Sequence, residues 1–146
     1  MQGIELIERL KTCLTDTQIL LYAADDYMCP PTQYPALIVI NSGYSQGSGQ
    51  HYISFHIDKN KRVNYFDSFG LPPYSCLRQF WKRHRYTLIG FNKRLVQDPA
   101  SDKCGFYVIA FGVCVANNFT RWTELLTDNY PINDKVIVAF VKWLTK

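Results

Sequence analysis

The cysteine best placed for chemistry in this sequence is Cys104, which begins a long apolar segment directly after a polar loop at residues 97–103. The segment at residues 104–119 contains no proline and predicts a buried helix. A thiol at the N-terminus of such a helix meets unpaired N–H groups and the positive end of the helix dipole, and both favour the thiolate. A structural cysteine that only begins a buried helix fits the same pattern.

A histidine and an acid lie on the two arms of a predicted β-hairpin. Residues 51–58 alternate between apolar and polar side chains, and residues 62–69 return after a turn. His51 and Asp67 are symmetric about residue 59, so a hairpin centred there places them opposite each other. An imidazole can take and return the proton of a thiol, and a carboxylate can hold the ring. The alternatives are a surface histidine and a turn-forming aspartate.

A glutamine completes the set of candidate groups. Gln97 precedes Cys104 by seven residues, and its amide can donate to an oxyanion beside the backbone N–H of Cys104. A thiolate, a proton acceptor and oxyanion donors are what acyl transfer by cysteine requires. Taken alone, the glutamine is a weak signal.

The elements that must position these groups predict one α+β domain at residues 1–146, with a central mixed or antiparallel sheet flanked by helices. Apolar periodicity predicts helices at residues 4–14, around 77–83, at 104–119 and around 136–144, the last capped by Asn133 or Asp134, with a strand at 136–141 as the alternative. Strands are predicted at residues 36–41, 51–58, 62–69 and, briefly, 94–97. Asp16 is expected to cap a second short helix, and residues 42–50 are expected to form a Gly-rich loop.

Composition narrows the classes of protein. The chain is 47% hydrophobic and 19% charged, which predicts a packed globule. Its five cysteines are odd in number and form no C-x-x-C pair, so neither a disulfide framework nor a metal site is expected. No apolar stretch approaches the roughly 20 residues of a membrane span, and the first residues are acidic. We therefore expect a soluble protein that is not secreted and acts inside a cell or a particle.

The positive charge is concentrated in one part of the chain. Residues 51–94 hold nine basic and two acidic side chains, and residues 68–96 contain no acid. Such a stretch can bind nucleic-acid phosphates, although a solvated charged face is the plainer interpretation. The candidate contacts are Arg78, Lys82, Arg83, Arg85, Lys93 and Arg94.

Three stretches resemble the adenovirus proteinase (adenain) family and, more distantly, the ubiquitin-like-protein peptidases of the same clan. Residues 49–55 are similar to the family's Gly-x-His-aromatic-x-x-Phe strand, and residues 65–70 to its acid-x-Phe-Gly arm. Residues 96–106 are similar to its glutamine loop and nucleophile, including the seven-residue offset. With the strand at residues 36–43, the resemblance covers roughly residues 30–125.

The resemblance implies roles for the residues that match. His51 would be the base, Asp67 the orienting acid, Gln97 an oxyanion donor and Cys104 the nucleophile, and substrate would contact Tyr52 and Gly105. It implies a papain-like fold with permuted chain order. It also implies a monomeric endopeptidase that cleaves viral precursor proteins, often at Gly-containing sites, during maturation in the virion or the host nucleus. The alternatives are a deconjugating peptidase for ubiquitin-like modifiers and a non-enzymatic DNA-binding module.

The sequence departs from the family at several positions. Asp67 stands where the adenovirus enzymes carry Glu, and Tyr52 where Trp is usual. The family needs no cofactor for its chemistry but is activated by DNA and by a viral peptide, which is disulfide-linked to a cysteine eleven residues before the glutamine. Tyr86 occupies that position here, so an activating peptide cannot be linked in the same way. Cys76 is the nearest alternative.

Overall fold

The computed structural model describes residues 1–42 and 51–146, so the predicted Gly-rich loop lies outside the described residues apart from Ser42. The described elements are α1 (Gly3–Cys13), β1 (Gln18–Ala23), β2 (Ala36–Asn41), β3 (Tyr52–Ile57), β4 (Arg62–Phe66), α2 (Ser75–Arg83), β5 (Thr87–Phe91), α3 (Cys104–Ala116), a short 3-10 helix (Trp122–Leu125) and α4 (Tyr130–Leu144). The five strands form one sheet in chain order. The pairs β1–β2 and β4–β5 are parallel, and the two central pairs are antiparallel.

The sheet is covered on both faces because the apolar side chains of its central strands point both ways. Leu37 and Val39 belong to the core cluster on one face, together with buried residues of α1, α3 and α4. Ile38 and Phe55 pack on the other face, where the Phe55 ring meets the Trp81 ring of α2 at a centroid distance of 5.3 Å. The result is an α+β fold, as the sequence predicts.

Helix α3 passes through the centre of the larger core. Nine of its thirteen residues are buried, which agrees with the predicted buried helix. The Phe66 ring at the end of β4 stacks on the rings of Tyr107 and Phe111 at centroid distances of 6.4 and 5.3 Å. This packing fixes the end of β4 against α3. No helix in the described ranges is long and apolar enough to cross a membrane.

Two predicted elements, the short helix after Asp16 and the strand at residues 94–97, are absent at those positions. The segment after Asp16 is strand β1 rather than a helix, because it adds to the edge of β2 in parallel. Residues 94–97 form no strand, since the N–H groups of Val96 and Gln97 donate to the Ser68 carbonyl instead of to a neighbouring strand. Strand β5 was not predicted, and it pairs with β4 through an irregularity at Val63 and Asn64. Tertiary pairing outweighs local pattern at sheet edges.

The last helix is confirmed as a helix, but its predicted cap is wrong. Helix α4 begins at Tyr130, and the Asn129 side chain accepts a hydrogen bond from the Ile132 N–H at 3.2 Å. Asn133 and Asp134 therefore lie inside the helix, where both are buried. A polar pair before an apolar run is typical of a cap, but here these side chains serve contacts outside the helix.

One glycine makes a sharp turn after β4 possible. Gly70 has φ +74°, and a Cβ added there would collide with the backbone of Arg94 and Leu95. We expect Gly70→Ala to lower the free energy of unfolding by roughly 2–6 kcal/mol, from backbone strain and overpacking. Urea unfolding of the matched variant Gly90→Ala, whose added Cβ meets only the Asn64 side chain, should reveal a smaller loss. Equal losses would contradict this account of the turn.

Candidate active site

The candidate nucleophile is buried in the larger core cluster, at the start of α3. Cys104 is the first residue of α3 and is 4% exposed. No side chain among the described residues caps this helix at Lys103, whose carbonyl accepts from the Phe106 N–H at 3.0 Å. Cys104 therefore lies at the positive end of the helix dipole.

The histidine bridges the acid and the thiol. The Nε2 atom of His51 lies 2.7 Å from Oδ1 of Asp67, and the ring also forms a hydrogen bond with Cys104. Because Nε2 faces the acid, Nδ1 is the ring atom left for the thiol. The Ser42 N–H donates to the His51 carbonyl at 2.8 Å, which holds this residue at the start of β3. The three predicted groups thus form one hydrogen-bonded chain.

The hairpin register differs from the predicted one by two residues, because the midpoint of the hairpin moves by one residue. Ser54 pairs with Phe66 and Phe55 with Tyr65, so the hairpin is symmetric about residue 60 rather than 59. That register places residue 69 opposite residue 51, and the Phe69 ring does stack on His51, with centroids 4.2 Å apart and planes at 6°. Asp67 reaches the imidazole because the chain leaves the ladder after Phe66.

The acid is fixed by backbone contacts that sequence analysis did not identify. The Oδ1 atom of Asp67 accepts a second hydrogen bond from the Phe69 N–H at 2.9 Å. Asn92, the first residue after β5, accepts from the Asp67 N–H at 3.1 Å and donates to the Asp67 carbonyl. The buried carboxylate is thus positioned from both sides. An asparagine after an unpredicted strand gave no signal of this role.

Burial and charge act in opposite directions on the histidine. Burial lowers the pKa of His51, but hydrogen bonds with Asp67 and Cys104 and the charges of both groups raise it to about 9. The ring is then an imidazolium at neutral pH, which stabilises negative charge on the neighbouring sulfur.

The second buried histidine has the opposite environment. Burial lowers the pKa of His56, although the charge of Asp58 partly opposes this shift.

Gln97 is held in place at both ends of its amide. The side chain is 1% exposed, and its Oε1 accepts from the Ser68 hydroxyl at 2.5 Å. Its Nε2 donates to the Ser101 carbonyl at 3.0 Å and lies 3.2 Å from the Ser101 hydroxyl. Ser68 follows Asp67 directly, so the turn that carries the acid also orients the glutamine.

The two predicted substrate contacts are covered by the first residues of the chain. Tyr52 is buried, and its hydroxyl lies beside Gly3. A Cβ added to Gly105 would lie 3.3 Å from Cβ and Sδ of Met1. Met1 and Gly3 therefore lie against the two predicted substrate contacts.

The predicted nucleic-acid contacts are all exposed, and they lie in two parts of the chain. On or just after α2 are Arg78, Lys82, Arg83 and Arg85, and after β5 are Lys93 and Arg94. Arg94 donates to the carbonyls of Thr123 and Leu126 and pairs with Asp128 at 3.2 Å. The ammonium of Lys93 lies 5.6 Å from the centroid of the Phe91 ring. The structure thus gives Arg94 a role in holding the segment before α4.

The structure also describes the two residues considered for attachment of an activating peptide, Tyr86 and Cys76. Tyr86 is buried, and its hydroxyl lies 2.6 Å from that of Tyr34, whereas Cys76 is exposed on α2. Within residues 1–42 and 51–146, no three His, Cys, Asp or Glu side chains are grouped closely enough to hold a metal ion.

Comparison with known proteins gives a likeness of fold. No family model and no curated protein match the sequence. A crystal structure of a protease of ASFV matches with a TM-score of 0.53 and 18% identity, covering 75% of this chain and 42% of that one. ChlaDub1 from Chlamydia trachomatis matches with a TM-score of 0.59 and 12% identity, covering 97% of this chain and 74% of that one. The chain thus shares the fold of these proteins, which confirms the predicted fold class and agrees with the adenain-like resemblance.

The opposite environments of two histidines lead to a direct test. In proton NMR titrations, His51 should titrate near pH 9 and His56 below its ordinary value of about 6.5. Asp67→Asn should lower the pKa of His51 and leave that of His56 unchanged. Since the folded-state pKa of His51 is raised, the stabilisation by Asp67 is complete below about pH 6.5 and is lost as the pH rises through about 9. An unchanged His51 titration in Asp67→Asn would disprove this assignment.

Proposed function

We propose that this chain is a cysteine-type peptidase with Cys104 as nucleophile. The observation that carries the proposal is the hydrogen-bonded series Asp67–His51–Cys104 at the N-terminus of a buried helix. An acid, an imidazole and a thiol in this order are the working parts of a catalytic triad, which is recognised by geometry rather than by chain order. The shared fold with a protease of ASFV supports the same class.

In the proposed reaction, the sulfur of Cys104 attacks the carbonyl carbon of the scissile peptide bond. The oxyanion that forms is stabilised by the backbone N–H of Cys104 and by the Gln97 amide, which requires one N–H to turn from the Ser101 hydroxyl toward the substrate. The His51 imidazolium then gives its proton to the leaving amine as the C–N bond breaks. A water molecule, deprotonated by His51, then attacks the thioester carbonyl, so that the carboxylic acid product leaves and Cys104 is released as a thiolate beside the His51 imidazolium.

We further propose that the scissile bond follows glycine in viral precursor proteins cleaved during particle maturation. A nucleophile that is 4% exposed and lies beside the His51–Phe69 ring stack leaves little room for a side chain next to the scissile carbonyl. Glycine has no side chain to place there. The resemblance of residues 49–55, 65–70 and 96–106 to the adenain family supports the viral substrate class.

The test is cleavage of a peptide library with glycine at varied positions, read by mass spectrometry. Wild type should cut after glycine, Cys104→Ala should cut nothing, and Cys76→Ala, which removes an exposed thiol, should behave as wild type. Cleavage that survives in Cys104→Ala would refute the proposal. Covalent labelling of Cys104 by a ubiquitin-like modifier probe ending in Gly-Gly would instead favour a deconjugating peptidase.

We also propose that the exposed basic side chains of α2 bind DNA. Arg78 and Lys82 lie one helical turn apart and carry charge without a nearby acid in sequence. Arg78→Glu with Lys82→Glu should weaken binding to duplex DNA and reduce the slope of log K against log salt by about 2, because each phosphate contact contributes about 0.9.

The matched control for DNA binding is Lys135→Glu on the exposed side of α4, which should leave both affinity and slope unchanged. Because the control reverses one charge and the test variant two, an effect of half the size from Lys135→Glu would mean that only net charge matters. DNA binding in a protein without any thiol-dependent cleavage would favour the non-enzymatic alternative.

An activating peptide would bind without a disulfide at residue 86, because that residue is Tyr86.

A further inference from the structure

Helix α4 carries two polar residues that are buried in the core. Asn133 is 1% and Asp134 7% exposed, although both lie within a helix whose other buried residues are Ile137 and Val141. Burying a carboxylate or an amide is unfavourable unless hydrogen bonds replace its water. The partners of these two side chains therefore indicate what they hold.

Both side chains bind the backbone on either side of Gln97. The Nδ2 of Asn133 donates to the Val96 carbonyl at 2.9 Å. Oδ1 of Asp134 accepts from the Asp98 N–H at 3.2 Å. The peptide before Gln97 and the peptide after it are thus fixed by adjacent residues of one helix.

Tyr107 of α3 joins these two anchors. Its buried hydroxyl donates to Oδ1 of Asp134 at 2.8 Å and lies 3.2 Å from the Val96 carbonyl. Burial and the Asp134 carboxylate raise the pKa of Tyr107, so the hydroxyl keeps the proton that it donates. Because Tyr107 lies three residues after Cys104 in α3, the network ties the glutamine backbone to the helix that carries the nucleophile.

We propose that Asn133 and Asp134 are positioning residues that aim the Gln97 amide at the oxyanion. This inference rests on the proposed peptidase function and extends it to α4. With both flanking peptides fixed and Oε1 held by Ser68, the remaining freedom of Gln97 is the rotation that frees one N–H from Ser101. Fixing the flanking peptides limits the amide to this one rotation, and a donor that reorganises less stabilises a developing charge better.

The first experiment compares Asp134→Ala with Asp134→Asn on a cleaved peptide. We expect Asp134→Ala to lower kcat about tenfold to a hundredfold with little change in KM, because a displaced donor acts only in the transition state. Asp134→Asn keeps an oxygen that accepts from Asp98 and Tyr107, so it should retain most of the activity. Alkylation of Cys104 uses no oxyanion donor and should be equally fast in all three proteins.

A double-mutant cycle separates positioning from general structural support. Gln97→Ala alone should lower kcat by about 10²–10³, and adding Asp134→Ala to it should cause no further loss. If Asp134→Ala lowers kcat by the same factor with and without Gln97, or slows alkylation as well, the inference is wrong while the peptidase assignment stands.

A milder variant and a second readout protect the test against misfolding or missing activity. Tyr107→Phe removes one hydroxyl but keeps the ring that stacks on Phe66, and it should give a smaller loss of kcat that also disappears in the Gln97→Ala background. The side-chain amide signals of Gln97, assigned from their absence in Gln97→Ala, should shift in Tyr107→Phe NMR spectra. Unchanged amide signals would overturn the inference even if no substrate were cleaved.

Discussion

The hydrogen bond between His51 Nε2 and Asp67 Oδ1, at 2.7 Å, is the interaction around which the rest of the structure is arranged. A carboxylate with 5% of its side chain exposed is unfavourable in a core unless it is paired and hydrogen-bonded. The imidazolium supplies the charge partner, and the Phe69 N–H supplies a further donor. Neither partner would be stable at this position without the other.

The candidate groups meet at one end of the inner strands β3 and β4. β3 begins beside His51, β4 ends beside Asp67, and α3 begins at Cys104. The Phe66 ring, one residue before the acid, packs on α3, so the strand that carries the acid and the helix that carries the thiol share one contact. The turn through Ser68 then reaches Gln97. Each functional side chain is thus adjacent in sequence to a residue that packs in the core or binds the backbone.

Local sequence pattern was sufficient for some of this arrangement and not for the rest. An uninterrupted apolar run located α3 and placed Cys104 at its start, and alternation located the hairpin. The predicted pairing was displaced by two residues, because a turn of residues 58–61 can be centred at 59 or at 60. Asn92 gave no signal and Asp134 was predicted only as a helix cap, since each binds a backbone atom of a distant or irregular segment. Ser101 gave none because it acts through its own carbonyl, which accepts from the Gln97 amide. Edge strands β1 and β5 depend on tertiary pairing, which local periodicity does not encode.

We propose that His51 activates Cys104, and residue-resolved alkylation measures this activation. Limited reaction with iodoacetamide at about pH 6, where ordinary thiols are almost fully protonated, would be followed by mass spectrometry at each cysteine. Cys29 and Cys76 are exposed and serve as internal standards. Although Cys104 is buried, it should react faster than both standards, and His51→Ala should abolish this advantage. If Cys104 reacts more slowly than Cys29 and Cys76, and His51→Ala leaves its rate unchanged, then His51 does not activate Cys104.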